Sequence, residues 1–190
     1  MKIGIFGGTF NPIHSGHLHA AREAARKLGI SKVVLVVANT PPHKTIEGNA
    51  TPEDRVAMAR LAAGDEAIFE VSTYEIEKEG TSFSIDTIKM LKEKYGPDSD
   101  LYFITGADSL KDLSSWKDLD EILSVSTFVA ATRPGYTDAG AFDRVRRIDI
   151  DPLDISSSDV RSRIRQGMPV NGLVPDAVAA YIHDKRLYGR

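Results

Sequence analysis

Cysteine is absent from this chain of 190 residues. Disulfides, thiol nucleophiles, iron–sulfur clusters and cysteine-based zinc sites are thereby excluded, and the composition fits a reducing compartment such as the cytoplasm. Long apolar runs are missing as well. No stretch approaches the roughly 18 uncharged residues of a membrane span, and the opening Met1-Lys2-Ile3-Gly4-Ile5-Phe6 breaks into glycine too soon for a signal peptide. No charge of one sign dominates: 24 Lys+Arg against 27 Asp+Glu leave a net −3. That balance argues against a nucleic-acid coat or a polybasic membrane anchor, and the short Arg144, Arg146, Arg147 cluster is the only patch suggesting otherwise. Tryptophan occurs once, at position 116.

What is present is an ordinary globular balance, 42% hydrophobic and 27% charged, over a length that suits one domain spanning residues 1–190. Short β-branched runs alternate with helical periodicity. Ile3 to Phe6 reads as a strand, Gly16 to Leu28 as an amphipathic helix closed by Gly29, and Val33 to Ala38 as a strand buried on both faces. Thr51-Pro52-Glu53-Asp54 carries the cap, proline and acids of a helix start. Further strands are expected at Ala67 to Tyr74, Leu101 to Thr105 and Val125 to Ala131, with a strand-like piece at Ile148 and Ile150. Further helices are expected at Ser84 to Lys94, Leu119 to Leu123, Asp138 to Arg147, Ser158 to Arg165 and Pro175 to Lys185. This alternation defines an α/β class: a doubly wound, mostly parallel sheet with helices on both faces, whose ligands bind beyond the carboxyl ends of the strands.

Those strand ends carry the chemistry. After Phe6 come Gly7 and Gly8, then His14, Gly16 and His17 at a helix start. Small residues let a backbone approach phosphate, helix N–H groups are free to meet it, and two imidazoles can donate to its oxygens. Metal ligation by His14, His17 and His19 is the other reading, but no acid or cysteine stands nearby to complete a shell. The long segment Asn39 to Asn49 offers His43 and the cation Lys44, and Arg133-Pro134-Gly135 is expected to turn the chain. Asp108, after the fourth strand, either accepts from ribose hydroxyls or caps the next turn. Trp116 lies in a segment too polar for core and either stacks on a planar ligand or packs on the surface beneath it. In Ile155-Ser156-Ser157-Ser158-Asp159-Val160-Arg161 serines cap a helix, with Arg161 in its first turn, so hydroxyls and a guanidinium either form an anion site or are a plain serine cap with a solvated arginine. Arg163 and Arg165 are expected on outer faces.

GxGxxG does not fit, no acid closes the second strand, and GxxxxGK[ST] is absent, so dinucleotide-binding and P-loop readings fail. A nucleophile elbow, a carboxylate pair and a cysteine nucleophile are also missing. A site made of donors and cations suits a reaction in which charge builds on phosphate.

The run Gly7-Gly8-Thr9-Phe10-Asn11-Pro12-Ile13-His14-Ser15-Gly16-His17 resembles the G-x-F-x-P-x-H-x-G-H signature of the adenylyl- and cytidylyltransferase superfamily. Ile155 to Arg161 is similar to its second signature, I-S-S-T-x-x-R, with Ser158 in place of threonine. Thr40-Pro41-Pro42-His43-Lys44, Ser82-Phe83-Ser84-Ile85-Asp86-Thr87, Phe103 to Leu110 and Leu173-Val174-Pro175-Asp176 resemble the bacterial nicotinate-nucleotide adenylyltransferases. The resemblance implies a Rossmann-like nucleotidyltransferase fold and transfer of AMP from ATP to nicotinate mononucleotide, with Mg²⁺ accompanying the triphosphate. It also implies an ATP site of Gly7, Gly8, Thr9, Phe10, Gly16, His17, Lys44, Ser157, Ser158 and Arg161, with His14, His17 and Arg161 catalytic and residues from about 156 to 190 completing the phosphate site. The implied mononucleotide site is Lys44, Thr81, Ser82, Phe83, Ser84, Asp108 and Trp116, with backbone N–H groups near Thr81 to Ser84 reading the carboxylate. No protein metal site, nucleic acid or membrane is implied, and monomer and homo-oligomer both stay open. Nicotinamide mononucleotide or phosphopantetheine as acceptor, or a non-catalytic nucleotide sensor, are the competing readings.

Overall fold

The computed structural model describes residues 1–39, 46–78, 81–132 and 143–189. Six strands form one sheet: β1 (Lys2–Gly8), β2 (Lys32–Val37), β3 (Phe69–Ser72), β4 (Asp100–Gly106), β5 (Thr127–Thr132) and β6 (Val145–Asp149). Their order is β3-β2-β1-β4-β5-β6 and every pairing is parallel. The helices are α1 (Ser15–Leu28), α2 (Pro52–Ala63), the short α3 (Tyr74–Glu77), α4 (Ser84–Tyr95), α5 (Leu119–Val125), α6 (Ser157–Arg165) and α7 (Asp176–Asp184). A 3₁₀ helix, Ala107–Ser115, leaves the end of β4.

Period-2 alternation sends each strand's side chains into two cores. Phe6, Val33, Leu35, Val37, Tyr102, Ile104 and Val129 pack with α1, α2 and α7, whereas Ile3, Ile5, Val34, Val36, Phe103, Phe128 and Ala130 pack with α4, α5 and the 3₁₀ helix. Both faces are covered, which is why these strands read as continuous apolar runs. The winding reverses between β1 and β4. Crossovers from these two neighbours depart to opposite faces and leave a crevice at their carboxyl ends.

Helix ends follow local chemistry. Thr51 accepts a hydrogen bond from the Asp54 N–H at 3.2 Å, and the Asp54 carboxylate accepts from the Thr51 N–H at 2.9 Å. Gly29 closes α1 at φ +65°, a conformation that glycine adopts without penalty.

Two expected elements differ. The strand expected over Ala67 to Tyr74 is confined to Phe69–Ser72, because β3 is an edge strand whose ladder with β2 runs only from Val33–Phe69 to Val36–Ser72. Tyr74 instead opens α3. The helix expected over Asp138 to Arg147 is contradicted at its end. Residues 138–142 lie outside the described residues, as does the turn expected at 133–135, but Val145–Asp149 is a strand on β5. Val145 and Ile148, three apart, would share a helix face; in the strand they enter opposite cores.

Candidate active site

The loop from β1 into α1 is built around two rings. His14 precedes the first residue of α1, and its backbone N–H donates to His17 Nδ1 at 3.2 Å. The imidazoles stack with centroids 3.6 Å apart. Burial pushes His14 down to about 4, against a small opposing pull from Asp159. Burial and then the neighbouring His14 push His17 down to about 3. Both rings are therefore neutral at pH 7. With Nδ1 of His17 accepting, the proton of that ring sits on Nε2, which is then a donor. His14 Nδ1 is buried without a hydrogen-bond partner. The first turn of α1 holds no acid, so its positive end is free to act on an anion.

Two glycines permit this packing. A Cβ on Gly8 would come within 2.6 Å of the Phe10 ring, and one on Gly16 within 3.1 Å of His14 Nδ1. Phe10, held at φ +48°, is buried, and its ring lies perpendicular to that of His17 with centroids 5.1 Å apart. It backs the histidine from within the core.

The late serine segment docks onto this loop. Ser157 Oγ donates to the Pro12 carbonyl at 2.9 Å, and Arg161 donates to the Asn11 carbonyl at 2.8 Å. Ser156 is the cap of α6, accepting from the Asp159 N–H at 3.1 Å. The first-turn expectation for Arg161 is therefore corrected: with the cap on Ser156, the helix starts one residue earlier than expected, and Arg161 is its fifth residue, just past the first turn, and 7% exposed. Its other terminal nitrogen reaches Glu47 Oε2 at 2.8 Å and Ser158 Oγ at 3.4 Å, while Nε is buried without a partner. Arg163 and Arg165 are exposed, as expected.

On the other face of the sheet a cavity of about 750 Å³ opens at the β1/β4 reversal. Gly7, Gly8 and Thr9 form one rim, Ser82, Phe83 and Ser84 at the start of α4 another, and Trp116 a wall. The expectation that the Trp116 segment is too polar for core is corrected. Leu110 and Leu113 are buried, and the half-buried indole meets Phe103 and Phe128 edge-on at 5.7 and 5.6 Å while its remaining surface lines the cavity. Glu75 lines the cavity too, accepting from the Thr87 hydroxyl at 2.7 Å. Burial raises its pKa and favours the neutral acid.

Thr81 is exposed beside this rim. Asp108 is exposed and pairs with Lys111 at 2.9 Å, outside the residues that line the cavity. Lys44 and His43 lie outside the described residues. Several structural participants carry no sequence signal. Arg55 is fully buried and donates to the carbonyls of Thr9, Ala38 and Asn39, tying the ends of β1 and β2 together. Asn11 donates to the Glu47 carbonyl at 2.7 Å and accepts from the Tyr188 hydroxyl at 2.8 Å. Only Pro52 and Glu53, which mark a helix start, could have suggested that Arg55 points inward.

A parallel sheet with this reversal, a histidine pair on a helix start and a buried arginine beside them suit a phosphate-bearing ligand, and similarity to known proteins gives the class, a nucleotidyltransferase. The family described as Cytidylyltransferase-like matches residues 5–163. Among sequence relatives, a protein of Desulfitobacterium hafniense (strain Y51) is 39% identical over 98% of this chain and 95% of its own length. One of Salinispora arenicola (strain CNS-205) is 41% identical over 96% and 98%. Each is named "Probable nicotinate-nucleotide adenylyltransferase". A solved structure of Plasmodium falciparum nicotinic acid mononucleotide adenylyltransferase complexed with NaAD superposes with TM-score 0.77 at 21% identity, covering 98% of this chain and 97% of that one. At that identity the likeness concerns the fold. The chain belongs to the nicotinate-nucleotide adenylyltransferase family within the Cytidylyltransferase-like group.

Proposed function

We propose that the chain transfers AMP from ATP to nicotinate mononucleotide, giving deamido-NAD and pyrophosphate, a step of pyridine-nucleotide synthesis. The observation that carries this reading is the meeting of two half-sites at one sheet edge: the histidine loop on one side and the Trp116 cavity on the other, both bounded by Gly7, Gly8 and Thr9. ATP lies with its triphosphate along the starts of α1 and α6. The mononucleotide places its ring against Trp116 and its 5′-phosphate at the glycine rim. A phosphate oxygen then attacks the α-phosphorus in line, forming the new P–O bond as the bond to the β-phosphate oxygen breaks, and no protein nucleophile is required.

His17 Nε2–H and its partner His14 donate to the phosphates as charge builds, and neutral imidazoles serve as donors without carrying a buried positive charge. Arg161, with Ser157 and Ser158, grips the leaving pyrophosphate, for which its guanidinium exchanges Glu47. Lys44 adds charge from its segment. Asp108, exposed on the 3₁₀ helix, takes ribose hydroxyls. Mg²⁺ would accompany the triphosphate and supply positive charge beside the phosphates that His17 and Arg161 contact. Residues 156–190 complete the phosphate site of one catalytic domain. No helix among the described residues is long and apolar enough to cross a membrane, and the absence of cysteine supports placing the enzyme in the cytoplasm.

Pyrophosphate release from ATP and Mg²⁺ with nicotinate mononucleotide, nicotinamide mononucleotide and phosphopantetheine in parallel tests the reading. Release dominated by the nicotinate compound is the expected result. Release with phosphopantetheine alone overturns the acceptor assignment, and binding of ATP with no release from any acceptor overturns the activity.

A further inference from the structure

The cavity beside Trp116 has an uneven charge lining. Glu75 and Asp112 are its acids, and Lys117 is the one basic side chain among the described residues that line it. Lys117 follows the indole directly in sequence, and its Nζ lies 4.3 Å over the centroid of the Phe83 ring, which lines the same cavity. Among the described residues Lys117 forms no ion pair, although its charge helps to hold the Asp86 carboxyl below its ordinary value. Among the described residues the nearby acid Asp86 is already bound to Lys78 at 2.6 Å and to the Phe83 N–H at 3.3 Å. On the same rim Ser82 Oγ is buried without a hydrogen-bond partner. Of the two acids, Glu75 is held by the Thr87 hydroxyl, and burial raises its pKa.

From this placement we propose that Lys117 is a specificity-determining residue: its ammonium selects a mononucleotide whose ring carries a carboxylate over one whose ring carries an amide. The proposal rests on the reading of this cavity as the acceptor site. A ring lying against Trp116 brings its substituent to the Phe83 rim. There a carboxylate gains a charge-assisted contact with Lys117 and a donor in the Ser82 hydroxyl, while a neutral amide gains only the weaker dipolar contact. The Phe83 face holds the flexible lysine stem over the rim before ligand arrives, which lowers the ordering cost of using it.

The test is calorimetric binding of both mononucleotides to the full chain and to K117M and K117R, with KM for ATP measured alongside. Methionine keeps an apolar stem of similar length over Phe83. K117M is expected to weaken nicotinate mononucleotide by ~10-fold, the scale of one modest charged contact. Affinity for nicotinamide mononucleotide and KM for ATP should stay within about 2-fold, and K117R should restore most of the loss. An unchanged ratio between the two mononucleotides overturns the proposal, as does an equal loss for both, which is a packing effect. Equal losses in K117M and K117R also overturn it, because the charge is then not what matters. Parent enzyme that releases no pyrophosphate with nicotinate mononucleotide overturns the acceptor reading itself, an outcome distinct from any result at position 117.

Discussion

His17 is fixed from several directions: its Nδ1 takes the His14 N–H, its face stacks on the His14 ring and it packs perpendicular to Phe10. A ring held this closely can act as a preorganised donor, so His17→Ala is expected to lower kcat by at least ~10²-fold. Turnover within a few-fold of the parent would remove His17 from the reaction. Gly16→Ala separates geometry from stability. Alanine favours a helix over glycine by up to about 1 kcal/mol, yet its Cβ would press on the His14 ring. The expected result is an unchanged or raised Tm together with kcat reduced ~10-fold or more, read by calorimetry and pyrophosphate release. The pair also governs acid stability. Both folded-state values, about 4 and about 3, lie below the ordinary 6.5, so between pH 6.5 and about 3 the unfolded chain binds more protons. Their contribution is complete above pH 6.5 and is lost as pH falls through that window. His17→Asn should flatten the fall of Tm between pH 6.5 and 4, and an unaltered slope would place the acid sensitivity elsewhere. His14, Gly16 and His17 were legible because they act within a single turn of chain. Asn11, Glu47, Arg55 and Tyr188 were not, because each gains its meaning from partners distant in sequence.

At the scale of elements, legibility followed how much of an element's cause was local. The start of α2 was readable from Thr51, Pro52 and Asp54, since the hydrogen bonds that fix it join Thr51 and Asp54. Thr51→Ala should cost about 1 kcal/mol and lower Tm by roughly 2–4 °C. Thr51 lies outside the candidate site, so KM for both substrates should be unchanged; a kinetic effect would mean that α2 transmits its cap to Arg55. The edge strands were the hard cases. β3 stops at Ser72 because Thr73 already begins the turn into α3, and β6 adds to the edge that β5 presents. Neither cause is present in the residues themselves. The serine run before Arg161 identified α6 but left the capping serine undecided, and that choice moved Arg161 one residue further into the helix, past its first turn.

Across the whole molecule, the two half-sites proposed above lie on opposite faces of one sheet at the carboxyl ends of β1 and β4, and residues near position 188 brace one of them. Tyr188 is buried, with its hydroxyl on Asn11 and its N–H on Asn49 Oδ1 at 2.7 Å. Asn11 in turn holds the Glu47 carbonyl through its side chain and Arg161 through its own carbonyl. This chain of contacts joins the end of the protein to the loop after its first strand, and nothing in the local sequence announces it. Tyr188→Phe removes one hydroxyl while keeping the ring that packs on Gly48. It leaves Asn11 Oδ1 without its donor, so a loss of about 1–3 kcal/mol in stability is expected. Because the loosened group supports Arg161 and not the Trp116 cavity, KM for ATP should rise while affinity for nicotinate mononucleotide stays unchanged. A fall in Tm with ATP kinetics intact would reduce the C-terminal brace to a structural role. A parallel rise for both substrates would mean that the two half-sites are mechanically one.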